Sequence, residues 1–63
     1  MDKKIIITIP HYNNPVGLIN TISSINDSIK IDIVITDDGS EIKLDEHQVR
    51  SKYNNKGNIH FIY

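Results

Sequence analysis

Sixty-three residues at 7.2 kDa allow one small domain at most, and a chain of this size buries roughly 60 % of its unfolded surface. Cysteine is absent, so neither a disulfide nor a thiolate–metal framework reinforces it. Seven Lys plus Arg face eight Asp plus Glu, tryptophan is missing and aromatics make up 6 %, which excludes the basic, base-stacking surface of a nucleic-acid-binding module.

Met1-Asp2-Lys3-Lys4 before Ile5-Ile6-Ile7 imitates the start of a signal peptide. The apolar run stops at Ile9-Pro10, short of the roughly 7–15 residues that an h-region needs, and no small-residue cleavage site follows. No stretch approaches the roughly 18 apolar residues of a membrane span. A soluble, cytoplasmic chain is expected. Fourteen of its residues are isoleucine, a β-branched type that favours strands.

Lys4 to Ile9 reads as a strand whose nearly continuous apolar run suits burial on both faces, as in a parallel sheet. Pro10 cannot donate to a ladder and is expected to end it. Asn14-Pro15 then has the form of a helix start, with Asn as N-cap and Pro at the first helical position. Leu18, Ile22, Ile25 and Ile29 recur at spacings of four, three and four, one apolar face of a helix placed at 15–27. Its Thr, Ser and Asn content makes it weak by propensity, so it depends on docking that face.

Ile31 to Thr36 is a second β-branched run, closed by Asp37-Asp38-Gly39-Ser40, where Gly39 can supply a positive φ. Asp45 as N-cap with Gln48 three residues on resembles a capping box, and Leu44 and Val49 stand where a hydrophobic staple would put them. That helix is expected to reach Tyr53, and the polar stretch Asn54 to Asn58 closes it. Ile59 to Tyr63 reads as a third strand.

The order β-α-β-α-β predicts right-handed crossovers and an α/β architecture with a parallel sheet. Three strands so connected form half of a Rossmann-like, doubly wound fold. Ligands bind such sheets beyond the carboxyl ends of the strands, where the loops Pro10-His11-Tyr12-Asn13 and Asp37-Asp38-Gly39-Ser40 should be neighbours. There a base could rest against Tyr12 while Asp38 accepts a hydrogen bond from a ring N–H. Such a pairing reads a uracil-like edge, a donor between two acceptors.

The stretches Ile7-Thr8-Ile9-Pro10-His11-Tyr12-Asn13 and Ile33-Val34-Ile35-Thr36-Asp37-Asp38-Gly39-Ser40, about 25 residues apart around a helix, resemble the start of a family 2 glycosyltransferase. The resemblance runs from Lys4 through the third strand. It implies a GT-A fold with strand order 3-2-1, and a single partial domain over 1–63 that forms the N-terminal nucleotide-binding portion. It also implies a nucleotide-diphosphate sugar, UDP-linked, as the ligand. Pro10, Tyr12 and Asn13 would lie against base and ribose, Asp38 would hold the base N–H, and Asp37 would support the turn that Gly39 and Ser40 shape. Mn²⁺ or Mg²⁺ would belong to a D-x-D motif that these residues do not contain, so this segment would carry no cofactor and no catalysis of its own. The full-length protein would be cytoplasmic or membrane-associated.

Other readings stay open beside it. Asp and Gly favour turns for local reasons, and Tyr12 could simply lie over the core. His11, His47 and His60 lack metal-ligand spacing and read as structural or solvent-facing. A receiver-like magnesium-binding domain shares the element order, but its acidic pair follows the first strand rather than the second. A non-catalytic interaction module needs no motif: the edge at Ile5-Ile6-Ile7 would be uncovered and could pair with a second copy.

Overall fold

The computed structural model describes residues 4–26 and 28–63. Strands β1 (Ile5–His11), β2 (Ile31–Asp37) and β3 (Ile59–Ile62) alternate with helices α1 (Pro15–Ser24) and α2 (Glu46–Lys52). All pairing is parallel, with Ile5 opposite Ile31, His11 opposite Asp37, and Ile33 opposite Ile59. The sheet order is β1-β2-β3, sequential along the chain, and this replaces the order 3-2-1 that the resemblance implied. Each crossover returns the chain beside the strand it has just left, so every step goes to the next neighbour, with β2 central.

Two crossovers of one hand in one direction put both helices on the same side of the sheet. Leu18 and Ile22 of α1 and Leu44 and Val49 at α2 pack there on Ile31, Ile33, Ile35 and Ile59, with Ile7, Ile9 and Phe61 at the margin. The opposite face carries Ile6, Thr8, Pro10, His60 and Ile62, all exposed. Burial of the first strand on both faces, expected from its continuous isoleucines, is therefore not what forms. Only β2 comes close, because it alone has a strand on either side.

Pro10 does not end β1, which continues to His11. The carbonyl of His11 accepts from Asp38 N–H at 3.1 Å, so odd-numbered residues of β1 turn their backbone groups toward β2. Even-numbered ones turn away, and Pro10 is among them. Its missing N–H falls on the free edge, where no ladder bond is lost.

Asn14 caps α1 through its side chain, which accepts from Gly17 N–H at 3.1 Å. The helix stops at Ser24 rather than 27, so Ile25 lies past its end and is only half-buried, and Ile29 is exposed. The low propensity of Ser and Asn there leaves nothing to extend it. Asp27, which the expected helix included, lies outside the described residues. Asp45 caps α2 with its carboxylate on Gln48 N–H at 3.1 Å, and both staple residues, Leu44 and Val49, are buried.

The far end of β2 is pinned by side chains. Asn55 accepts from Ile31 N–H and Gly57 N–H, each at 2.8 Å, and donates to Ile29 O at 2.8 Å. Asp32 accepts from Asn58 N–H at 2.9 Å and pairs with Lys4 at 3.7 Å. Gly57 passes so close to β2 that a Cβ on it would stand 1.7 Å from Ile31 O. Gly57→Ala should therefore push the α2–β3 loop off the sheet at a cost of about 1–3 kcal/mol, as for other overpacked sites. Urea unfolding followed by circular dichroism would measure the loss, and an unchanged midpoint would show that the loop can give way freely.

Candidate functional site

Parallel pairing of β1 with β2 ends at His11 opposite Asp37, so the loops after the two strands leave the sheet side by side. His11, 4 % exposed, fills the space between them. Its Nε2 accepts from Asn14 N–H at 3.1 Å, and a ring nitrogen that accepts carries no proton. The proton of the neutral ring therefore sits on Nδ1, which faces Asp37 Oδ2 and Ser40 Oγ, both at 3.4 Å. These are long contacts, one proton shared between two acceptors.

Shorter bonds complete the lock. Asp37 Oδ1 accepts from Ser40 N–H at 2.8 Å, and Ser40 Oγ accepts from Asn13 N–H at 2.9 Å. Asn13 takes a left-handed conformation with φ 45°, which a short polar residue tolerates, and turns its Oδ1 to Glu41 N–H at 2.8 Å and Ile42 N–H at 3.3 Å. Gly39 supplies φ 75° in the facing turn. Each loop is thus held by the side chains of the other. Ser40's backbone N–H, with its hydroxyl and His11, holds the Asp37 carboxyl below the ordinary carboxylate value, against the opposing effect of burial.

Ser, His and Asp meet here, but not as a nucleophilic relay. That chemistry needs the serine on one ring nitrogen and the carboxylate on the other. In this protein both face Nδ1, while Nε2 is occupied by backbone. The cluster is a brace.

The five residues singled out from the sequence fall into three places. Asn13 and Asp37 lie in the brace. Pro10 and Tyr12 line a cleft of about 400 Å³ beside α1, together with His11, Asn14, Gly17 and Thr21. Asp37 instead borders a second cleft of about 360 Å³, with Gly39, Ser40, Leu44, Glu46 and Tyr63. Asp38 lines neither and is exposed in the second loop. The side chains of Tyr12 and Asp38 have no hydrogen-bond partner among the described residues. The paired loops therefore converge as backbone, while their proposed ligand-facing groups do not share one pocket.

Two features escaped sequence reading. His11, read from the sequence as structural or solvent-facing, is buried as the hub of the brace, a role its place in the Pro10–Asn13 loop does not by itself disclose. Tyr63 donates to Glu46 at the rim of the second cleft, and that carboxylate, with burial, pushes the phenol up to about 12. Among the described residues no group of three or more His, Asp or Glu is placed to hold a metal ion. None of their helices is long and apolar enough to cross a membrane.

No protein-family model, curated protein or solved structure matches the chain.

Asp37 and Asp32 both ionise more readily folded than unfolded, Asp32 chiefly through the Asn58 N–H. A carboxyl with a lowered folded pKa stabilises the fold above its unfolded value, here 3.8, and that contribution drains away as pH falls through the folded value. Urea midpoints taken between about pH 2 and 6 should fall on the acid side, and Asp37→Asn should make the fall shallower while lowering stability at neutral pH. An acid limb identical in wild type and Asp37→Asn would remove the brace from the folding equilibrium.

Proposed function

We propose that the carboxyl edge of β1 and β2 binds the nucleotide part of a UDP-linked sugar, and that the chain is the donor-nucleotide-binding segment of a glycosyltransferase. One observation carries this reading. His11, Asn13, Asp37 and Ser40 commit their polar atoms to bracing the two loops, while Tyr12 and Asp38 are exposed and uncommitted on the braced surface. A turn held by so many side-chain bonds that still presents an aromatic ring and a free carboxylate is suited to a ligand with a flat ring and an N–H donor.

In this reading the Tyr12 ring stacks on the base, Pro10 lies beside the ribose, and Asp38 accepts the base N–H. Asn13 and Asp37 keep the loops in register. These residues bind and orient; none takes or gives a proton. Divalent metal, Mn²⁺ or Mg²⁺, and sugar transfer belong to a D-x-D motif and further residues that this chain does not contain. The likeness of the two loop motifs to family 2 glycosyltransferases supports the assignment of ligand class.

Titrating UDP into isotope-labelled protein, with and without Mn²⁺, should move amide resonances at residues 10–13 and 37–40 and leave α2 and β3 still. Asp38→Ala removes one hydrogen bond to a charged acceptor and should weaken binding about 10- to 100-fold, while Asp38→Asn retains a partial effect. Shifts elsewhere on the fold, or equal binding by Asp38→Ala, would sink the reading.

A further inference from the structure

The imidazole of His11 is a titratable group buried in a structural position, and three segments meet it. Asp37 at the end of β2 and Ser40 in the loop beyond face Nδ1, while Asn14, which opens α1, gives its backbone N–H to Nε2 at 3.1 Å. Asp37 is the one charged side chain among the described residues that bonds to the ring. Its carboxyl is held below the ordinary carboxylate value, so it stays ionised through the range in which imidazoles take up a proton.

The neutral ring carries its proton on Nδ1, so a second proton can enter only at Nε2. There it would face the Asn14 N–H, donor against donor. It would also stand at the end of a helix whose free N–H groups carry partial positive charge. The opposite side of the ring gains, because an imidazolium N–H bonds a carboxylate more strongly than a neutral one does. One proton therefore weakens the contact with α1 and strengthens the contact with β2.

We propose that His11 is a proton-operated latch: neutral, it ties the first loop to the start of α1, and on taking up a proton it lets Asn14 go and closes on Asp37. Release is confined to that junction. The Asn14 carbonyl and side chain still hold Leu18 N–H and Gly17 N–H at 3.0 and 3.1 Å, so α1 keeps its cap. Asn13 still bonds Ser40 and Glu41, so the two loops stay joined. The cleft that Pro10 and Tyr12 share with Asn14, Gly17 and Thr21 spans the junction, and release alters the spacing of its sides. The consequence for a ligand rests on the nucleotide reading; the latch itself does not.

Nitrogen-15 spectra of the His11 ring, taken on the 63-residue chain between about pH 8 and 5, test the proposal. At pH 8 they should show a proton on Nδ1 alone, and at the acid end a proton on both nitrogens. The Asn14 amide resonance should shift in step with the ring. Its hydrogen exchange, corrected for the intrinsic effect of pH, should speed about 2- to 10-fold, the loss of one hydrogen bond. The Gln48 amide, capped by Asp45, is the control and should not change. His11→Gln should abolish the Asn14 step although the exposed His47 and His60 remain; if that variant does not fold, the wild-type ring and amide decide alone. Uridine, which has no phosphate to titrate, should bind more weakly at pH 5 than at pH 8. Uridine binding at neither pH would count against the nucleotide reading, and the ring and Asn14 signals would still decide the latch. A neutral ring protonated on Nε2, a ring that stays neutral throughout, or a ring that gains its proton while Asn14 stays unchanged would each overturn the proposal.

Discussion

β2 is hydrogen-bonded along both of its edges, and the placement of everything else is set relative to it. Its isoleucines at 31, 33 and 35 form the floor on which both helices rest, and each is 4 % exposed or less. What keeps so short a strand in place is polar at both ends. Asn55 and Asn58 fix its entry, and Asp37, through Ser40 and His11, fixes its exit. A domain this small has little apolar area to bury, so side-chain bonds to backbone contribute where a larger core would otherwise dominate. The exit clamp is also the floor of the candidate site. Stability and the shape of the candidate edge therefore rest on the same atoms.

That shared dependence has a consequence for binding. Loops that must be ordered by their ligand lose affinity to the cost of ordering. Here the two turns are held before any ligand arrives, by bonds running both ways between them, and the left-handed conformations of Asn13 and Gly39 are part of the holding. The exposed groups, Tyr12 and Asp38, then sit on a prepared frame. The separation of Tyr12 and Asp37 into different clefts limits what one ligand can touch at once. It favours a flat group resting across the loops over a ligand sunk in a single pocket.

Much of this was legible in the amino-acid order. Isoleucine-rich runs marked β1 and β2, Ile59 to Tyr63 marked β3, Asn14-Pro15 and Asp45 marked both helix starts, and the two polar turns marked the carboxyl edge. Most of the misreadings share one cause, since they depended on what lies beside a segment in space, while the early end of α1 is local. Pro10 looked like a strand terminator because nothing local says that its nitrogen faces a free edge. Ile5 to Ile9 looked doubly buried because a continuous run does not tell which side the crossovers take. Ile29 fitted the helical period, yet the helix was already over by Ser24. The direction in which strands succeed one another across the sheet is likewise settled by the crossovers, not by composition. His11 became a hub through partners 26 and 29 residues away, beyond the reach of any spacing rule.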